Sequence, residues 1–124
     1  MFDEGALAAL DRNDPKMWRI MKAAAIRGTT IFAPSTVIAQ VWRGSPRQAR
    51  LAVALQGVEV SLFDPIAKAA GELCGGSRTS DIVDASVALT AKNQRANQIY
   101  TSDDADINHL LETLQIEDVL VIHC

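Results

Sequence analysis

Short β-branched runs alternate with capped helical segments along almost the whole of this chain, which restricts it to folds built on parallel strands. Three of the helical segments open with the same device, an Asp or Ser directly before Pro: Asp14-Pro15, Ser45-Pro46 and Asp64-Pro65. The side-chain oxygen accepts from the free N–H groups of a first turn. The fixed φ of proline suits the first helical position, where no N–H is needed. Gly28 and Gly57 stand where two of these helices should stop. The pattern predicts helices over 5–11, 14–27, 34–42 and 45–56, and another from Asp64-Pro65 to a loop at Gly75-Gly76-Ser77. A further helix is capped by Thr79-Ser80-Asp81, and a last one runs from Asp103 to Leu114. The stretches 29–33, 58–62, 98–101 and 119–122 are rich in β-branched residues and read as strands. Strand after strand joined by a helix means parallel pairing, so the expected class is α/β, in one domain spanning residues 1–124.

Charge narrows the partners. With 12 Lys and Arg against 15 Asp and Glu, the formal net charge is −3, whereas a generic polyanion binder is normally basic. Contact with nucleic acid would need a cation held by carboxylates. No apolar run approaches the roughly 20 residues of a membrane span. Met1-Phe2-Asp3-Glu4 has neither the basic nor the apolar region of a signal peptide. Cys74 and Cys124 are isolated thiols, read as reduced structural residues of a cytoplasmic protein. With only His109 and His123 as histidines, a zinc site is not expected.

Ligands of parallel α/β proteins gather at the carboxyl ends of the strands. Asp3 falls there after a two-residue stub, Gln40 lies in the helix after the 29–33 strand, and Asp81 and Asp84 share the first turn of a helix. Asp103, with Asp104 and Asp106 behind it, follows Tyr100-Thr101-Ser102. Taken singly, Asp81 and Asp103 also read as helix N-caps. Together, the acids form a set of hard oxygen donors suited to Mg²⁺ or Mn²⁺. Other carboxylate and phosphate chemistries fit less well. No Lys follows the last strand as a receiver domain requires, and Asp3-Glu4-Gly5 lacks the Asp-x-Asp of a haloacid-dehalogenase-type phosphatase. The phosphate loops GxxxxGK[ST] and GxGxxG and the nucleophile elbow GxSxG are absent.

Four blocks in order resemble those of PIN domains: Asp3-Glu4-Gly5-Ala6-Leu7, Pro34 to Arg43, Thr79-Ser80-Asp81-Ile82-Val83-Asp84-Ala85, and Tyr100 to Ile107. The small single-domain form is similar to the VapC toxins of toxin–antitoxin pairs. The resemblance implies a three-layer α/β/α fold with a parallel sheet of four or five strands. It also implies a Mg²⁺- or Mn²⁺-dependent endoribonuclease inhibited by a cognate antitoxin. Asp3, Asp81 and Asp103 match the family's catalytic, metal-holding acids. Gln40 stands where the family usually has Glu, and Asp84 is positioned to supply the missing charge as a further ligand. Arg43 and Arg47, with Arg50, are candidates for holding the RNA backbone. Trp42 reads as core. Two alternatives are a catalytically weak PIN-fold interaction module and a metal-dependent nuclease acting on DNA. A homodimer is expected, as in small PIN toxins. It is also expected because Met17, Trp18, Ile20, Met21, Ala24 and Ala25 make the 14–27 helix more apolar than one sheet face requires.

Overall fold

A computed structural model describes all of residues 1–124. The chain runs α1 (Glu4–Asp11), α2 (Pro15–Arg27), β1 (Phe32–Pro34), α3 (Ser35–Val41), α4 (Ala49–Leu55), β2 (Glu59–Ser61), α5 (Ala67–Ser77), α6 (Ile82–Asn93), β3 (Gln98–Thr101), α7 (Asp104–Thr113) and β4 (Leu120–His123). The Asp-Pro and Ser-Pro signals act differently at their three positions. Asp14 caps α2 by accepting from the Lys16 N–H at 2.9 Å, and Gly28 ends that helix at φ 68°. Ser45-Pro46 and Asp64-Pro65 each open a single 3₁₀ turn, and the α-helix follows it. The loop expected at Gly75-Gly76-Ser77 is instead the last turn of α5. There Ser77 Oγ donates to the Leu73 carbonyl at 2.8 Å, and Arg78, at φ 60°, makes the stop.

The expected three-layer α/β/α fold on a parallel sheet of four or five strands is not formed; the chain is mixed α/β and rich in helix, with no central sheet for helices to cover on two faces. The four strands make two separate parallel pairs, β1 with β2 and β3 with β4. Register is Phe32 opposite Glu59 in the first pair and Gln98 opposite Leu120 in the second. The physical reason lies between them. Residues 1–3 run extended through this space. The Phe2 N–H donates to Phe32 O at 2.8 Å, the Tyr100 N–H to Met1 O at 3.0 Å, and the Asp3 N–H to Tyr100 O at 3.0 Å. This stretch makes an isolated bridge, Phe2 to Tyr100, before the chain turns into α1 at Glu4, and no strand ladder joins the two pairs. The Phe2 and Tyr100 rings meet edge to face, with centroids 5.7 Å apart. Such a contact is worth about 1 kcal/mol beyond burial and pins the bridge.

The core is one cluster, with Phe2, Leu7, Leu10, Met17, Leu51, Ile99, Ile107 and Leu110 its largest fully buried apolar side chains. Helix α6 runs through its middle, buried continuously from Asp84 to Ala91. Small side chains at Ala85, Ser86, Ala88 and Ala91 suit it to helices packed on several sides. Trp42 is not core: it stays 39% exposed beyond the end of α3. No helix is long and apolar enough to cross a membrane.

Candidate metal centre

Three distant segments deliver carboxylates to one point. Asp3 ends the Phe2 stub and caps α1, its Oδ1 accepting from the Glu4 N–H at 2.6 Å. Its other oxygen accepts from the Thr101 hydroxyl at 2.5 Å, and the residue is fully buried. Thr101 in turn accepts from the Asp103 N–H at 2.9 Å. One buried hydroxyl therefore sets the distance between the first acid and the loop after β3. Asp84 comes from the first turn of α6, where its N–H donates to Asp81 Oδ1 at 3.0 Å. One carboxylate oxygen each from Asp3, Asp84 and Asp103 lies within 4.8 Å of the others.

Gly5 lets this assembly close. A Cβ there would sit 2.6 Å from Ser102 Oγ and 2.9 Å from the Ser102 backbone nitrogen, so any side chain would push α1 off the loop carrying Asp103.

The cluster is electrostatically uncompensated. No Lys or Arg lies within ion-pair distance of these acids; the one His–carboxylate contact of the chain, His123 Nδ1 with Asp104 Oδ1 at 2.7 Å, involves none of the three. Burial, then the charges of Asp81, Asp3, Asp103 and Asp106, push the Asp84 carboxyl up to about 7. Burial also raises Asp3, against the opposing hydrogen bonds from Thr101 and Glu4, and it raises Glu4. At an effective dielectric near 20, two carboxylates about 5 Å apart repel by roughly 3 kcal/mol. A divalent cation would turn that repulsion into attraction. The donors fit a hard ion: all are carboxylate oxygens, and their spread is close to the ~4.2 Å between opposite ligands of Mg²⁺ at ~2.1 Å. An open cleft of about 370 Å³, lined by Ser102 to Asp106 and His123, leads away from Asp103.

The structure distributes the other sequence candidates around this point. Asp81 is exposed and uses one oxygen as the α6 cap; its charge still acts on Asp3, Glu4 and Asp84. Gln40 is exposed near the end of α3, on the same helix face as Thr36, which hydrogen-bonds Ser86 of α6 at 2.6 Å. Arg43 is occupied locally, its Nη1 donating to the carbonyls of Ala39 at 3.1 Å and Trp42 at 2.8 Å at the end of α3. Arg47 is exposed in the 3₁₀ turn before α4, and Arg50 is exposed on α4.

Thr101 is the residue that sequence reasoning missed. Its signal was its place at the end of a strand, two residues before Asp103. His123 is a second. Its hydrogen bond holds the Asp104 carboxyl below the usual range, and nothing in the sequence links it to the acids. Thr101→Val should leave Asp3 Oδ2 and the Asp103 N–H without their partner. An unfolding loss of about 1–3 kcal/mol and weaker Mn²⁺ binding are expected, with Thr101→Ser restoring both. Denaturant titration and calorimetry check this, and Mn²⁺ affinity unchanged in the Val variant would show that the hydroxyl does not set the cluster.

Searches against protein-family models, curated proteins and solved structures found no match to this chain.

Proposed function

We propose that this chain is a Mg²⁺- or Mn²⁺-dependent endoribonuclease, similar in its acids to the PIN-domain toxins. The observation that carries the reading is the meeting of Asp3, Asp84 and Asp103 from three distant segments with no countercharge. Such repulsion is a cost to folding unless a cation binds there. A bound divalent ion would supply Lewis-acid polarisation of a phosphate and a water of lowered pKa. The chain's own part is to hold the donors: Asp3 fixed by Thr101 and Glu4, Asp84 fixed on the first turn of α6, and Asp103 facing the open cleft. Arg47 is the freer of the two arginines for a phosphate, since Arg43 caps α3. The reading carries with it a cognate antitoxin, a homodimer and work in the cytoplasm. Exposed Ile26, Val53, Val60, Leu62 and Leu120 are apolar surface that protein partners would cover. The same exposed side chains favour a second reading, a PIN-like module acting chiefly by protein association.

Incubating defined RNA and DNA oligonucleotides with the protein, with Mg²⁺ or with EDTA, tests the proposal. Cation-dependent cuts within RNA are expected. Cuts confined to DNA would move the substrate class. No cleavage, despite a melting temperature raised by Mn²⁺, would favour the association module. Gln40→Glu should tighten Mn²⁺ binding on the order of threefold to tenfold, because an added negative charge near a cation attracts it. Unchanged affinity on calorimetry would put Gln40 out of the ion's reach.

A further inference from the structure

The charges of this chain are segregated. Seven of its 12 Lys and Arg, and none of its 15 Asp and Glu, fall within residues 15–58. All seven are exposed and none is in an ion pair. The helices of this stretch, α2, α3 and α4, all pack on α1. A chain of net charge −3 thus gathers free cations on one part of its fold, where a polyanion is attracted.

The connection between α3 and α4 places part of this charge beside an aromatic ring. Trp42 leaves α3 in an extended conformation and stays 39% exposed, although tryptophan is highly buried on average. Gly44 turns the chain at φ 69°, and a Cβ there would lie 3.9 Å from Trp42 Nε1, so the edge of the indole rests beside the turn. Arg47 and Arg50 lie three residues apart where the 3₁₀ turn passes into α4, and so share a face. Gln48 holds this connection from beneath. It is buried, its Oε1 accepts from the Arg43 N–H at 2.7 Å, and its Nε2 donates to Val41 O at 2.9 Å and Asp11 Oδ2 at 3.3 Å. Ser45 Oγ accepts from the Arg47 N–H at 3.2 Å. Ring and cations are therefore presented by a fixed turn, which lowers the entropy cost of binding through them. Helix α1 links the turn to the carboxylate cluster: Asp3 caps its start, and Asp11 at its end meets Gln48. Its 8 residues, rising ~1.5 Å each, put the turn about 12 Å from Asp3 along the axis.

We propose that Trp42 is a stacking platform for an unpaired base of a bound RNA strand, with Arg47 and Arg50 holding the phosphates beside that base. The inference rests on the ribonuclease reading and adds the form of the substrate. A duplex keeps its bases stacked inside, so only a single strand, a loop or an end offers a ring face to the indole. The guanidinium forks match phosphate oxygens two at a time, and the arginines supply the attraction that an acidic protein otherwise lacks. An acidic peptide would satisfy the arginines but leave the indole without a planar partner.

Anisotropy of a fluorescein-labelled single-stranded RNA of ~8 nucleotides, titrated with Asp103→Asn protein in Mn²⁺ so that the strand stays intact, tests this. Saturable binding is expected, at least about tenfold tighter than binding of the same sequence in a duplex. In the same background Trp42→Ala should weaken it about tenfold or more, while Trp42→Phe retains most of the affinity. Arg47→Ala with Arg50→Ala should weaken binding and lower the slope of log affinity against log salt by about 1.4. The proposal is overturned if Trp42→Ala binds as well as its parent, or if the duplex binds as well as the single strand. It is also overturned if a Glu-rich peptide displaces the RNA with the same Trp42 dependence, which would assign the turn to a protein partner. Trp42-dependent binding with no cation-dependent cleavage by the unmodified chain would support the platform and remove the ribonuclease reading. Cleavage by the unmodified chain with binding indifferent to Trp42 would do the reverse.

Discussion

Asp84→Asn is expected to stabilise the cation-free protein at pH 8 by on the order of 2 kcal/mol and to flatten its stability between pH 5 and 8. The Asp84 carboxyl is raised to about 7 in the folded chain, by burial first and then by Asp81, Asp3, Asp103 and Asp106. In the unfolded chain it titrates near ~3.9. Below that value both states hold the proton and Asp84 imposes no penalty. Between there and about 7 the unfolded state has released its proton while the folded state keeps it, so stability falls as pH rises. Above about 7 the full cost is present. A gap of ~3 pH units would cost about 4 kcal/mol in a rigid site, and relaxation around the ionised carboxylate removes part of it, hence the smaller figure. The asparagine keeps the backbone N–H that Asp81 caps, so the helix start survives. Mn²⁺ should reverse the order, raising the melting temperature of the parent chain more than that of the variant. Urea titrations in EDTA at pH 5 and 8 measure the first effect and thermal melts with Mn²⁺ the second. A variant no more stable than the parent at pH 8 would show that the acids are already compensated.

The second large effect is on cleavage. Asp103→Asn should lower metal-dependent RNA cleavage by about 10² to 10³, through loss of one anionic oxygen at the ion, with the fold retained. The position suits the test because the Asp103 side chain makes no capping bond and its link to Thr101 runs through the backbone N–H. Asp3→Asn is less clean, since its amide would meet the Thr101 hydroxyl and the Glu4 N–H where a carboxylate accepts from both. Asp118→Asn, exposed in the connection before β4, serves as the control. Single-turnover rates on one RNA at saturating Mn²⁺ decide it. An undiminished rate for Asp103→Asn would place the chemistry elsewhere in the molecule.

Much of the local structure was legible because its causes are local. Asp14, Pro15 and Gly28 bound α2 by capping geometry that involves only their neighbours. The four strands and the acids at their ends follow from β-branched runs and from the caps behind them. At the end of α5 two glycines signal a stop, yet the helix continues through them to Ser77, whose hydroxyl bonds the Leu73 carbonyl, and ends at Arg78 in the left-handed region. Trp42 lies outside the core because α3 ends at Val41 and the chain leaves it extended at Trp42, a stop that bulk and apolarity do not signal.

What the sequence determined by itself is the order of helices and parallel-type strands, their caps, and a set of carboxylates at the carboxyl ends of strands. These depend on interactions within a few residues, which the chain specifies directly. Only the tertiary structure decided which acids meet. Asp84, rather than its cap Asp81, joins Asp3 and Asp103, because the N-cap bond fixes Asp81 and the buried Thr101 hydroxyl ties the other two together. The tertiary structure alone also decided that the strands form two pairs, with Phe2 making only an isolated bridge to Tyr100 between them. Both outcomes turn on contacts between residues up to 98 positions apart, and no local pattern encodes such distances.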